Sequence, residues 1–293
     1  MDIKINNVSY TYQKNSPFEA VALSDVSIDI PTGSYTALIG HTGSGKSTLL
    51  QHINTLLKPT TGELIIGNKT VTNESENKEL KDVRRQVGTV FQFPESQLFE
   101  ENILKDVAFG PKNYGATEEE AEEIAVRMLK RVGINESLFE ESPFDLSGGQ
   151  QRRVAIAGVL AIEPSVLILD EPTAGLDPKG QIEMMDLFQA LHEEHDLTII
   201  LATHQMELVA TYADNAVVLE KGKVVGKGHP RDIFANSAWL IEKQLNAPET
   251  VKFAQKFEQK TQRKLKKVPL TVEELADELI DVCQLDRMEE QHE

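Results

Sequence analysis

Three stretches of this 293-residue chain combine residue types and spacing suited to chemistry on a polyphosphate. Gly40-His41-Thr42-Gly43-Ser44-Gly45-Lys46-Ser47 fits G-x-x-x-x-G-K-[ST]. Glycines let backbone N–H groups approach phosphate oxygens with no Cβ in the way, and a following helix adds donors and a positive dipole end. In such a loop Lys46 would neutralise the β- and γ-phosphates of a nucleoside triphosphate, and the Ser47 hydroxyl would ligate Mg²⁺. The run Val166-Leu167-Ile168-Leu169 ends in two carboxylates, Asp170 and Glu171. A carboxylate at the C-terminal end of a parallel strand faces the ligand crevice. Asp170 would hold Mg²⁺, directly or through water, and Glu171 would orient the attacking water or take its proton. Leu146-Ser147-Gly148-Gly149-Gln150 places Ser147 and the N–H groups of two glycines at a helix start, a second anion site.

Other candidates carry less information singly. Gln92 follows an apolar run ending at Phe91, where a neutral donor and acceptor can touch the metal or the water. Gln86 and Gln97 are its rivals, and Gln92 is favoured by its place at a strand end. His204 ends the buried-looking run Leu197–Thr203 and could bond the γ-phosphate and the water. Tyr12 and Tyr10 are candidates to stack on an adenine ring, with strand packing as the competing role. Tyr12 lies nearer the loop that follows and is preferred. The side chains of His41, His52, His192, His195, His229 and His292 read as surface or loop groups.

The surrounding pattern supplies elements to hold these residues. Ile3–Tyr12, Val26–Ile30 and Ser34–Ile39 read as strands, with a turn at Pro31-Thr32-Gly33. Ser34–Ile39 feeds the glycine loop, and Lys46–Leu57 reads as the helix after it. Glu63–Ile66 with Gly67-Asn68 forms a hairpin, and Gln86–Phe91 another strand. From about Phe93 to Ile162 the pattern is helical, with a capping box at Thr117–Glu120, a stop at Gly133, and Ser147 capping a helix to Ala161. Val166–Leu169 and Leu197–Ala202 suit central parallel strands, and Val217–Leu219 with Lys223–Val225 a closing hairpin. The sum is an α/β fold with a mainly parallel sheet. After Gly228 helices are expected over Asp232–Leu245 and Glu249–Lys260, then a basic loop, Lys264–Lys267. A second capping box, Thr271–Glu274, opens a helix with Val272, Leu275, Ala276, Leu279, Ile280 and Cys283 on one apolar face.

Composition narrows the class. A net charge of −17 repels phosphate backbones and speaks against bulk nucleic-acid binding. The one cysteine, Cys283, cannot form an internal disulfide, fits a reducing cytoplasm, and reads as a small packing residue. Met1-Asp2-Ile3-Lys4 does not open a secretory signal. The longest apolar run, Val154–Ile162, falls short of the roughly 20 residues of a spanning helix, so work at a membrane would need another chain to cross it.

The set Gly40–Ser47, Gln92, Leu146–Gln150, Asp170-Glu171, Asp177 and His204 resembles, in content and order, the ATP-binding cassette (ABC) ATPases over residues 1–228. The resemblance implies a P-loop NTPase with a RecA-like core, an N-terminal antiparallel β region, an inserted helical subdomain at about 93–162 and a C-terminal helical appendage at 229–293. It implies ATP and Mg²⁺ as cofactors, with the nucleotide held by Tyr12, Gly40, His41, Thr42, Gly43, Ser44, Gly45, Lys46, Ser47, Thr48 and Asp177, and by Ser147, Gly148, Gly149 and Gln150 from an opposing subunit. Glu171, His204, Gln92 and Lys46 would be catalytic, and Ser47, Gln92 and Asp170 would face the metal. Val90–Phe99 and Asp106–Pro111 resemble more narrowly the energy-coupling factor (ECF, CbiO-like) ATPases, in their second EcfA type. That likeness implies a peripheral protein at the cytoplasmic face of the cell membrane. Its partners would be a second, related EcfA-type ATPase, a transmembrane coupling protein (EcfT) and a substrate-binding membrane S component, importing vitamins or transition-metal ions. The alternatives are the ATPase of another ABC importer, or a soluble cassette ATPase acting on nucleic acid or ribosomes. The latter is favoured only by Lys260, Arg263, Lys264, Lys266 and Lys267.

Overall fold

The structure is a computed structural model that describes residues 1–289, without the side chains of His195 and of residues 284–289. In chain order its elements begin β1 (Ile3–Tyr12), β2 (Ala20–Ile30), β3 (Tyr35–Ile39), α1 (Lys46–Ile53), β4 (Thr61–Ile66) and β5 (Lys69–Val71). They go on with α2 (Lys81–Gln86), β6 (Val87–Val90), α3 (Ile103–Asn113), α4 (Glu118–Arg131), α5 (Gly148–Leu160), β7 (Val166–Asp170) and α6 (Pro178–His195). The remainder is β8 (Thr198–Ala202), α7 (Met206–Tyr212), β9 (Asn215–Glu220), β10 (Lys223–Gly228), α8 (Pro230–Ala235), α9 (Ser237–Glu242), α10 (Glu249–Thr261) and α11 (Val272–Glu289). The chain gathers into two compact units, Met1–Ser34 with Ser47–Ala202, and Tyr35–Lys46 with Thr203–Glu293.

The first unit holds an antiparallel sheet in the order β2-β1-β4-β5. Alternation in β1 and β2 buries Ile3, Ile5, Val8, Val26, Ile28 and Ile30 and leaves the intervening polar residues outside. Beside it β6, β7 and β8 pair in parallel, Val166 aligning with Val87 on one side and Thr198 on the other. Leu167–Leu169 and Ile199–Leu201 are fully buried, as apolar strands covered on both faces must be. The expected helical stretch is real: α3, α4 and α5 pack together around Val107, Ala125, Leu129, Val154 and Ala157. The Thr117–Glu120 capping box forms at α4, and Gly133, at φ 78°, ends the segment.

In the second unit β3 pairs in parallel with β9, and β9 turns back to β10 through Lys221 (φ 48°) and Gly222 (φ 75°). Positive φ at both central residues gives the turn whose twist matches a hairpin. Four expectations for this part need correction. The helix expected over Asp232–Leu245 is α8 and α9, because the Asn236 side chain accepts the Trp239 N–H (3.0 Å) and starts a new helix. The apolar face expected on α11 is not the buried one: Val272, Ala276, Ile280 and Cys283 are exposed, while Glu278 and Val282 are buried. The rotation satisfies the basic loop, since Glu278 accepts the Lys266 N–H (2.6 Å) and the Lys267 N–H (3.4 Å). Cys283 is therefore not a packing residue. The second capping box is half-formed: Thr271 accepts the Glu274 N–H, but the Glu274 carboxylate turns to Leu270 N–H and Arg231.

Candidate functional site

The glycine loop belongs to the second unit and follows β3, whose five residues are all buried. Gly40 is obligatory there: a Cβ would lie 2.3 Å from the Leu219 carbonyl oxygen and 2.6 Å from Ser44 Oγ. The loop is closed by Ser44 N–H donating to the His41 carbonyl (3.1 Å) and anchored by Gly222 N–H donating to the Ser44 carbonyl (2.8 Å). Gly43, at φ 79°, opposes nothing, so this part of the loop stays open. The Lys46 ammonium arches back over it and donates to the carbonyls of Gly40 (2.6 Å) and His41 (3.3 Å). Ser44 Oγ is buried with no partner among the described residues. A concave backbone with a cation at its centre and an orphaned hydroxyl is chemistry prepared for an anion.

The carboxylates sit in the first unit where the sequence puts them. Asp170 is the last residue of β7. Glu171 takes φ 51° and is pinned by its N–H to the Ala202 carbonyl (2.9 Å). A left-handed glutamate is strained, and such strain gathers where a side chain must be aimed. Asp177 caps α6 by accepting the Gly180 N–H (2.7 Å). Gln92 is exposed beyond β6, and Phe93 after it takes φ 56° to start the 3₁₀ turn Pro94–Gln97. His204, in the second unit, is exposed just beyond Thr203, whose hydroxyl accepts the Gln205 N–H (3.1 Å).

Leu146–Gln150, hereafter the signature stretch, caps α5 as a true capping box. Ser147 Oγ accepts the Gln150 N–H (3.4 Å), and Gln150 Oε1 accepts the Ser147 N–H (3.0 Å). Gly148 and Gly149 are exposed, and a Cβ on either would meet nothing within 4 Å. Among the described residues their smallness answers no contact.

Two features were not read from the sequence. Arg152, 3% exposed on α5, gives two hydrogen bonds to Glu95 (2.8 and 3.0 Å) and donates to the carbonyls of Ala174 (2.8 Å) and Pro172 (3.5 Å). It thereby ties α5 to the turn after Gln92 and to the loop after Glu171. Burial, the largest single influence, works against the Glu95 charge, but the Arg152 hydrogen bonds, a backbone hydrogen bond and the Arg152 charge together hold that carboxyl below its usual pKa. The available signal was a cation on the buried stripe Arg152, Ile156, Leu160. His52 was also misread: it is fully buried on α1, with Nδ1 bonded to the Thr48 carbonyl (2.7 Å), not a surface group. His229 is exposed and caps α8, whereas His292 and the His195 side chain lie outside the described residues.

Beyond Gln92 the first unit carries an open groove of about 340 Å³, walled by Leu56, Phe91, Leu98, Phe109, Val159 and Ile162. Phe99 stands edge-on to Phe109 (4.9 Å) at its border, held there by Asp106 accepting the Phe99 N–H (2.8 Å).

Comparison with known proteins meets this geometry. A family model described as ABC transporter matches residues 23–174. The "Energy-coupling factor transporter ATP-binding protein EcfA2" of Enterococcus faecalis is 56% identical over 284 residues, covering 97% of this chain and 98% of the relative. The chain belongs to the ABC transporter ATPases, in their energy-coupling factor branch. The protein of the same name from Latilactobacillus sakei is 59% identical over 281 residues, covering 96% of each chain. Among solved structures, cbiO1 from Clostridium perfringens, part of the ABC transporter complex cbiONQ, matches at TM-score 0.71 and 40% identity, over 82% of this chain and 93% of that one. The ATP-binding cassette MJ0796, as a post-hydrolysis dimer bound to ADP and Pi, matches at TM-score 0.69 and 35% identity, over 78% and 99%. The α/β P-loop NTPase fold is thus established, and as an ABC ATPase the chain binds and hydrolyses ATP.

Proposed function

We propose that this chain is a peripheral ATPase on the cytoplasmic face of the cell membrane, energising an importer of vitamins or transition-metal ions. It would pair with a second, related EcfA-type ATPase and act on a transmembrane coupling protein, EcfT, beside a substrate-binding S component. The groove beyond Gln92 carries this reading. It is apolar, open and bordered by exposed aromatic residues, as a receptor for a helix of a membrane partner needs to be. No described helix is long and apolar enough to cross a membrane, so such a partner would have to supply the span. A nucleic-acid role has weaker support: within the basic loop Lys266 pairs with Asp281 (2.7 Å) and Lys267 with Glu274 (3.5 Å), in a chain of net charge −17.

The roles follow from the chemistry of each group. The backbone of Gly40–Gly45 and the Lys46 ammonium bind the phosphates of ATP, and Thr48 extends that contact along α1. Tyr12 offers its ring to the base. Glu171 orients the attacking water and accepts its proton, and His204 donates toward the γ-phosphate. Ser147, Gly148, Gly149 and Gln150 close over the nucleotide of the opposing subunit, and Asp177 lies on the same interface. Among the described residues no cluster of His, Cys, Asp or Glu could hold a metal. Ser47, Gln92 and Asp170 offer a hydroxyl, an amide and a carboxylate, hard oxygen donors that suit Mg²⁺ and leave positions for phosphate and water. When bound, Mg²⁺ supplies charge neutralisation of the phosphates.

Mild-detergent purification of the native complex tests the reading. The wild-type chain should bring down a second ATPase and multi-span membrane proteins, and Phe99→Asp should release the membrane proteins while ATP binding persists. Recovery of the chain with nucleic acid or ribosomes, or a Phe99→Asp complex that stays whole, would overturn it.

A further inference from the structure

We propose that His52 and Tyr10 are positioning residues for the nucleotide base, acting through Tyr12. The proposal rests on the reading of Tyr12 as the base platform and goes beyond it. Tyr12 stands at the end of β1 and is 37% exposed, with its ring accessible to a ligand. An aromatic side chain at a strand end would ordinarily sample several rotamers. Here four residues of the first unit close a circuit around it. Tyr12 Oη lies 3.2 Å from Thr48 Oγ1. The Thr48 carbonyl in turn accepts from His52 Nδ1 at 2.7 Å. The His52 ring meets Tyr10 edge-on at 4.7 Å, and Tyr10 meets Tyr12 edge-on at 4.8 Å.

Each link fixes a different freedom. The hydroxyl pair sets how far the Tyr12 ring reaches along α1, and Tyr10 sets the ring's tilt. His52 holds both ends, one through the Thr48 backbone and one through the Tyr10 ring. Its carbonyl bond requires Nδ1 to carry the proton, and burial lowers the imidazole pKa against the opposing pull of its backbone hydrogen bonds. A leucine or isoleucine would fill this position on α1 as well, but it could neither hold the carbonyl nor offer an aromatic edge. Thr48 comes two residues after Lys46 in sequence. The circuit therefore ties the base platform to α1, and base stacking is preorganised before nucleotide arrives.

The test compares two probes on the full-length chain by calorimetric titration: ATP, and inorganic tripolyphosphate, which shares the phosphates and lacks the base. Tyr12→Ala should weaken ATP binding by roughly 10-fold or more and leave tripolyphosphate unchanged. His52→Leu should weaken ATP binding by roughly 3- to 10-fold, again with tripolyphosphate unchanged. In the Tyr12→Ala background His52→Leu should add nothing, because its effect passes through Tyr12. Tyr10→Leu carries the same test should His52→Leu not fold. Equal losses for both probes, or an undiminished His52→Leu effect without Tyr12, would overturn the positioning role alone. An unchanged ATP affinity in Tyr12→Ala would instead overturn the base-platform reading.

Discussion

The chain has two glycine-rich helix starts, and they need their glycines for opposite reasons. At Gly40 the reason is internal: a Cβ would strike the Leu219 carbonyl at 2.3 Å, and the loop is stitched to its own unit through Gly222. At Gly148 and Gly149 there is no internal reason, since a Cβ would meet nothing within 4 Å. An open glycine at a helix start leaves its backbone N–H groups accessible to an anion from outside the chain. On the proposed reading, the phosphate loop is one half-site and the stretch Leu146–Gln150 is a surface whose complement another subunit would bring. The contrast extends to anchoring. The phosphate loop is anchored by its backbone, whereas the signature stretch is backed by a side chain, Arg152, one turn further along α5.

Six substitutions at five positions would break or sharpen that contrast. The largest effect belongs to neither glycine region. Glu171→Gln should lower phosphate release by roughly 10²- to 10⁴-fold with ATP affinity retained, measured by steady-state hydrolysis beside equilibrium binding. Near-normal turnover would remove Glu171 as the base. Next, Arg152→Met should destabilise the fold by about 3–5 kcal/mol in denaturant unfolding, because Glu95 and two backbone carbonyls lose their donor. Arg152→Lys should recover little of it, since a point charge cannot reproduce the two-pronged Glu95 contact.

The paired glycine changes test the contrast itself. Gly40→Ala should cost about 1–3 kcal/mol of stability through the clash and the backbone angle. Gly149→Ala should shift stability by no more than about 0.5 kcal/mol and yet suppress hydrolysis in the assembled transporter. Equal destabilisation by both would erase the distinction. The smallest effect lies away from both regions. The Arg231 guanidinium holds the Glu274 carboxyl down to about 2. A depressed folded pKa stabilises above the unfolded value of 4.5 and loses that contribution as pH falls toward 2. Thermal unfolding from pH 7 to pH 2.5 should therefore fall less steeply in Glu274→Gln than in wild type, with nucleotide binding at pH 7 unchanged.

Much of this was legible because local rules carried it. The apolar runs ending at Asp170 and Ala202 became buried parallel strands, Thr117 formed the capping box its spacing announced, and Ser147 capped its helix. What stayed hidden depended on partners distant in sequence. No pattern near Arg152 names Glu95, which lies 57 positions away. Nothing local in α11 tells that Glu278 must turn inward to serve the N–H groups of Lys266 and Lys267, and that rotation exposes Ile280 and Cys283. His52 was missed because a lone histidine on a helix gives no sign of Tyr10 on β1, whose ring meets it edge-on.

The claim that the signature serves a neighbouring subunit is tested most directly by Ser147→Arg, with ATP affinity and hydrolysis measured on the same preparation, alone and assembled with the partner ATPase. The account predicts unchanged ATP affinity for the isolated chain and a loss of turnover on the order of 10²-fold or more in the assembly. Full hydrolysis by an isolated monomer carrying Ser147→Arg would contradict it.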